Sequence, residues 1–250
     1  MYYRLVGAYE YDKTEAGYKR LIKVFNKARR AGRIPFRYIR DGGVTRSYPP
    51  GFTSIEAARE AFEEIIRHGV INKQTVQPIK QIVVCEAAGM VPQLASRADR
   101  YGVEVVSAGG FNSSTNKHDM AQEVAAEDKP VLVHHLGDYD PSGVHVFQSL
   151  AEDVEAFVDS LGGRGIFRRL VVTPEQIEAM ALPMAPTKAG DVRVFDGTGT
   201  VQAEAIPPDT LGQILNDALA EFFDFEADDA AQAKSDADAA TLRDEFGFDT

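Results

Sequence analysis

Between residues 81 and 180, short apolar runs and longer amphipathic stretches take turns along the chain. The runs QIVVC (81–85), 103–107, PVLVHHL (130–136) and 166–173 have the length and β-branched content of buried strands. The stretches between and after them, about 90–101, 114–127, 142–161 and 174–180, are long enough for helices. Strands alternating with helices of this length predict βα units and therefore an α/β, Rossmann-like fold with a mainly parallel sheet.

The pattern differs on either side of that block. Thr14 followed by Glu15 predicts a helix start and Gly32 its stop, with Tyr18, Leu21, Ile22, Phe25 and Ala28 forming one apolar stripe. Lys19, Lys23, Lys27 and Arg30 line most of the other side. Arg33, Arg37, Arg40 and Arg46 follow, interleaved with Phe36 and Tyr38, and suggest a turn and a short wing beside a DNA-facing helix. A plain solvated surface helix is the competing reading of the same charges. Residues 47–53 read as a linker, 54–68 as a helix, and the polar stretch NKQTVQP ends the first unit. After the βα block, 183–204 predicts turns and a hairpin, and Pro207, Pro208 and Asp209 open a helix over 208–223. Beyond Phe225 the chain is mostly Ala and Asp, which predicts a disordered acidic tail or a loosely attached helix. The expected units are therefore 1–75, 80–225 and 226–250.

Charge sharpens this division. The net charge is −11, yet residues 1–50 hold 12 Lys/Arg against 4 Asp/Glu, and residues 201–250 hold 2 against 13. A basic end of this kind can dock on a polyphosphate backbone, because neutralised phosphates release counterions. The acidic tail would repel such a ligand, shield the basic unit, recruit a partner through DEFGFDT, or simply solubilise the chain. Cys85 is the single cysteine, which excludes an intrachain disulfide and a Cys-based zinc site within one chain, and its expected place is a buried strand end. No apolar run approaches membrane-spanning length and the N-terminus has no signal-peptide pattern, so a cytoplasmic, nucleoid-associated protein is expected.

The candidate chemistry lies where the strands end. Glu86 closes QIVVC, and Asp138 and Asp140 follow PVLVHHL within GDYDPSG. In a parallel sheet the carboxyl ends of neighbouring strands share one rim, so these three acids should converge on one crevice and suggest a divalent-metal site. Asp138 and Asp140 are two residues apart and point to the same side of an extended segment. Asp140 before Pro141 also suits a helix cap, which is the competing reading.

The order strand-Glu-helix-strand-helix-strand-DxD-helix over about 81–175 resembles the Toprim domain of topoisomerases, bacterial-type primases and several nucleases. YYRLV, EAGYKRLIKVFNKARRAGRIPF, GGFNSST, LGDYDPSG, VTPEQI, LPMAPTK and AIPPDTL look like phage, plasmid and bacterial relatives of the topoisomerase VI A subunit and the meiotic break-forming transesterase. That resemblance implies a small, truncated winged-helix-like domain before the Toprim domain. It also implies Mg2+ held by Glu86, Asp138 and Asp140, Glu86 as general acid/base, and a DNA phosphodiester as substrate. The matching position for the family's nucleophilic tyrosine is Tyr3. Met1 stands where the family has preceding residues, so its arginine and first helices have no counterpart here, and helix packing is the competing reading of Tyr2 and Tyr3. A double-strand cut would require a homodimer. The sequence holds no GxxxxGK[ST] loop, so ATP-driven strand passage would require a separate ATPase subunit.

Secondary candidates are Lys117, Ser113 and Ser114 for phosphate, His134 and His135 beside the acids, and His118 and His145 without ligand spacing. Lys188 and Asp191 fall in a segment similar to the relatives but have no physical assignment. The alternative function is a non-catalytic DNA-binding or regulatory module with a structural metal. Whether water or tyrosine attacks, and on one strand or two, stays open at this level.

Overall fold

The computed structural model describes residues 2–34, 52–68, 72–108, 114–187, 195 and 197–248. Four strands, β1 (Lys80–Cys85), β2 (Glu104–Ser107), β3 (Val131–Leu136) and β4 (Gly165–Val171), form one sheet in the order β2-β1-β3-β4 with every pairing parallel. The expected Rossmann-like α/β class with a parallel sheet is therefore present, and each strand lies within two residues of its anticipated bounds.

Side-chain alternation splits the core into two layers. Val83, Cys85, Leu136 and Leu170 face one side and pack with Leu94 and Ala98 of α4 (Val91–Ala98) and Leu211, Leu215 and Leu219 of α8 (Pro208–Ala220). Ile82, Val84, Val131 and Val133 face the other and meet Met120, Ala121 and Val124 of α5 (Ser114–Ala125) and Leu150, Val154 and Val158 of α6 (Pro141–Leu161). Strands covered on both faces must be apolar throughout, which is why β1 and β3 read as unbroken runs. Of the polar members of these runs, Gln81 and His134 meet each other, while both ring nitrogens of His135 are buried without a hydrogen-bond partner among the described residues. Gln81 donates from Nε2 to the Leu219 carbonyl, its Oε1 lies 2.9 Å from His134 Nε2, and its backbone N–H donates to Gln74 Oε1.

The strand order fixes where a site can form. The chain runs from β1 to its neighbour β2 on one side, then crosses to β3 and β4 on the other, so the winding reverses between β1 and β3. The crevice at the carboxyl ends of two such strands is where ligands enter open α/β sheets.

Among the described residues, the N-terminal part contains α1 (Tyr2–Tyr9), α2 (Glu15–Arg30) and α3 (Ile55–His68). Thr14 Oγ1 accepts the Gly17 N–H and Gly32 takes φ +69°, matching the expected start and stop of α2. The expected wing, with Arg37, Arg40 and Arg46, lies outside the described residues. The two ends of the expected 183–204 hairpin pair as an antiparallel bridge between Ala185 and Thr200, and most of the intervening chain is outside the described residues.

Of the two readings of the C-terminal segment, a disordered tail or a loosely attached helix, the structure has the helix, and it is docked on the fold. Residues Phe225–Phe246 form α9, capped by Asp224 Oδ1 on the Ala227 N–H and ended by Gly247 at φ +62°. The helix packs on α3, where Ile66, Ala239 and Phe248 are buried together. An alanine-rich segment has high helix propensity, and Ala239 within it and Phe248 just past its end supply the burial that composition alone does not advertise. No helix among the described residues is long and apolar enough to cross a membrane.

Candidate active site at the strand switch point

Backbone hydrogen bonds carry the sheet one step past its strands and pin the site. The Glu86 N–H donates to the Leu136 carbonyl at 2.8 Å, which sets Glu86 beside the end of β3. Gly137 continues the ladder to β4, donating to Val171 O at 2.7 Å and accepting from the Val172 N–H at 2.8 Å. Tyr139 then pairs with Val201 in an antiparallel bridge, so the returning chain clamps the segment from 138 to 140.

Glu86 and Asp138 meet at this rim. Glu86 Oε2 accepts the Asp138 N–H at 3.2 Å, and Asp138 Oδ1 accepts the Ala203 N–H at 2.8 Å. Asp140 Oδ1 accepts the Gly143 N–H at 2.7 Å as the cap of α6, with Pro141 at the first helical position. The expected cap and the expected rim position are thus the same residue. Two glycines make room: a Cβ at Gly137 would lie 2.6 Å from Glu86 Oε2, and one at Gly143 would lie 2.9 Å from it and clash with the Asp138 carbonyl.

The electrostatics follow from crowding of like charge. Burial, then Asp138, then Asp140 raise the pKa of Glu86, opposed by the Asp138 N–H and Arg169. Burial also raises that of Asp138, with Glu204 and Asp140 adding to it and the Ala203 N–H and Arg169 opposing. Glu204 sits on the 3-10 turn Ala203–Ala205, which brings a fourth carboxylate into range. Arg169 is the nearby cation, yet its guanidinium donates to the carbonyls of Gly137, Asp138, Gly143 and Val172 and not to the acids. It braces the turn and lends its charge through space, leaving carboxylate oxygens to accept from something else. Burial lowers the Arg169 pKa, and the surrounding acids oppose that shift.

Among the described residues, no group of three or more His, Cys, Asp and Glu stands as an arrangement that could hold a metal ion. Glu86 and Asp138 are adjacent, Asp140 acts on both as a neighbouring charge, and Glu204 acts on Asp138. The donor set is entirely hard oxygen, the chemistry that suits Mg2+, which keeps several waters and takes only one or two protein carboxylates beside substrate phosphate.

The remaining candidates divide. The backbone of Tyr3 lies in α1, and α1 packs against the turn Ala203–Ala205 that holds Asp138. Lys23 and Lys27 are exposed on α2, Lys19 pairs with Glu15 at 2.6 Å, Arg30 is the last residue of α2, and Arg33 is exposed just after it; Arg37 lies outside the described residues. Lys117 corrects an expectation. Its ammonium is turned between α5 and α6, donating to Ser149 O and Oγ and pairing with Asp153, so it is not offered to a phosphate. Ser114 is exposed at the start of α5, while Ser113, Lys188 and Asp191 lie outside the described residues.

Of the histidines, His118 meets Phe157 edge-on and His145 is exposed on α6. His134 and His135 are fully buried on opposite faces of β3, and burial pushes them down to about 4 and about 3 respectively. His135 packs on Phe147, and its Cε1 lies 2.6 Å from where a Gly137 Cβ would be. Cys85 is buried as expected, its Sγ 3.4 Å from Ala87 O and its thiol pushed up to about 11 by burial. Arg169 and Glu204 are not anticipated above. Two arginines inside the apolar run IFRRLVV were the available signal for the first, while nothing local marks the second.

Residues 66–158 match the family described as "Protein of unknown function C-terminus (DUF2399)". The match spans β1 through most of α6 and so contains Glu86, Asp138 and Asp140, but neither α1, α2 nor Arg169. No curated protein matches the chain.

Proposed function

We propose that the chain is a Mg2+-dependent, DNA-binding protein of Toprim type that cleaves or transesterifies phosphodiester bonds. The observation that carries this reading is the adjacency of Glu86 and Asp138 at the switch point, both raised in pKa first by burial, with Asp138 and Asp140 adding to the shift of Glu86 and Glu204 and Asp140 to that of Asp138. Asp138, Asp140 and Glu86 would hold the cation. When bound, Mg2+ supplies Lewis-acid stabilisation of charge on a phosphate oxygen.

The chain's own residues do the rest. Glu86, with its raised proton affinity, exchanges a proton with the attacking or departing oxygen. Arg169 fixes the turn that presents Asp138. In the hydrolytic version water attacks. In the transesterase version the Tyr3 hydroxyl attacks phosphorus, loses its proton to a base, and displaces the sugar oxygen, which takes up a proton. The packing of α1 beside the Asp138-binding turn supports keeping Tyr3 in play. Exposed Lys23, Lys27 and Arg33 support a DNA-facing α2, and a winged-helix-like unit there is part of the reading. Two copies would be needed to cut both strands, and an ATPase partner to couple cutting to strand passage.

One observation favours the competing reading of a non-catalytic DNA-binding or regulatory module: the acids do not stand as a ready-made cation cage among the described residues. Incubation with supercoiled DNA and Mg2+, followed by a denaturing gel with and without protease, separates the cases. Cleavage lost in Glu86→Gln supports an enzyme, with protein-linked ends pointing to tyrosine and clean ends to water. Intact DNA under all conditions supports the module.

A further inference from the structure

A pocket of about 580 Å3 opens behind the acid rim, lined by Tyr139, Pro174, Ile177, Leu182, Met184 and Thr198. Its walls are mainly apolar, with Glu178 adding a carboxylate to the lining. This volume falls within the ~300–1,000 Å3 typical of small-molecule sites. Two features tie it to the acids. Tyr139 lies between Asp138 and Asp140 in extended chain, so its ring points to the opposite side from both carboxylates. The ring packs on Phe195 at 5.0 Å, and Gly197 allows this, since a Cβ there would clash with Phe195 and lie 2.8 Å from Tyr139 Cε1. Ala181, also in the lining, takes φ +47° as the left-handed residue that ends α7 (Pro174–Ala179), its N–H donating to Glu178 O and the Leu182 N–H to Ile177 O, which fixes the Ile177 and Leu182 wall.

We propose that this pocket receives an unstacked nucleobase of the strand whose phosphate lies at the Asp138–Asp140 rim. The inference rests on the phosphodiester reading above and adds a subsite to it. A ligand that engages both sides of one three-residue segment must carry an anion and a flat, largely apolar group within a few ångströms of each other, and a nucleotide unit has that form. The Tyr139 ring and the Ile177 and Leu182 side chains supply apolar contact to the base, while Glu178 and Thr198 can hydrogen-bond its edge. Recognition of this kind requires a single-stranded or extruded base, because the base in a duplex is covered on both faces.

The test compares binding of a short oligothymidylate with that of an abasic oligonucleotide of the same length, in Mg2+, by the full chain. Both probes carry the same phosphates, so the ratio of affinities reads the base alone. The wild type should prefer the intact strand by about tenfold, the scale of one base–aromatic stack. Thr198→Leu, which fills the mouth, and Met184→Asp, which charges an exposed wall, should each bring the ratio close to one. Equal binding of both probes by the wild type, or a preference that survives both substitutions, overturns the pocket and leaves the phosphate site standing. Failure of the wild type to bind either probe overturns the phosphodiester reading itself, and the pocket with it.

Discussion

Glu86 and Asp138 set the pH behaviour of the site. Each has a folded-state pKa raised above its unfolded value, so the folded chain binds more protons than the unfolded chain between those two values. Stability therefore falls as pH rises from the ordinary carboxylate range through the raised folded pKa, and the destabilisation is fully present above it. Glu86→Gln keeps an oxygen to accept the Asp138 N–H while removing the charge. Without divalent cation its Tm at pH 7.5 should exceed the wild type's by ~2 °C, a modest gain from relieving the burial of a charge among like charges. The gain should vanish below about pH 4, where the unfolded-state glutamate is itself protonated. Thermal melts across pH check both the sign and the window, and a lower Tm for the variant at pH 7.5 would refute the repulsion. The glycines make the complementary case. Gly143→Ala puts a Cβ against the Asp138 carbonyl and Glu86 Oε2, and should cost about 1–3 kcal/mol, read as a lower urea midpoint at unchanged slope.

At the scale of elements, the βα block was legible because its central strands β1 and β3 are buried on both faces and its helices amphipathic. Those two periods leave little freedom in assigning 81 to 180. Glu86, Asp138 and Asp140 were legible for the same reason, since once the strands are placed their ends are placed. Arg169 was not, because a charged residue inside a strand declares its partners only when the turn it braces has been built. Glu204 reaches the site through a chain return that no local pattern encodes. The acidic segment was legible in part, since a loosely attached helix was one of its two readings and a helix is present. Composition described its solvent-facing acids correctly but missed the anchors Ala239 and Phe248, which need Ile66 of α3 to have meaning. Stacking of Phe62 on Phe246 and the ion pair of Lys73 with Asp228 at 2.9 Å add to the attachment. Truncation after Asp224 should uncover Ile66, whose burial contributes about 2 kcal/mol, and lower Tm by ~4–8 °C. A truncated chain that melts with the full-length protein would show that α9 contributes nothing to the fold.

For the molecule as a whole, the account depends on a sheet whose winding reverses between β1 and β3, with acids on both sides of the reversal. Three carboxylates, Glu86, Asp138 and Asp140, face one guanidinium that is already spent on carbonyls, and Glu204 adds its charge beside Asp138, so the rim carries uncompensated negative charge. A divalent cation would relieve it, and Mn2+ reports on such an oxygen site as a stand-in for Mg2+. The decisive measurement is a Mn2+ titration of the wild type and of Asp138→Asn, followed by electron paramagnetic resonance. Asparagine keeps an oxygen for the Ala203 N–H, so the fold of the rim is preserved while the charge is lost. The wild type should bind one Mn2+ per chain, displaceable by Mg2+, and Asp138→Asn should weaken that binding at least tenfold. A wild type that leaves Mn2+ free in solution, or a variant that binds it equally well, would contradict a cation site at this rim.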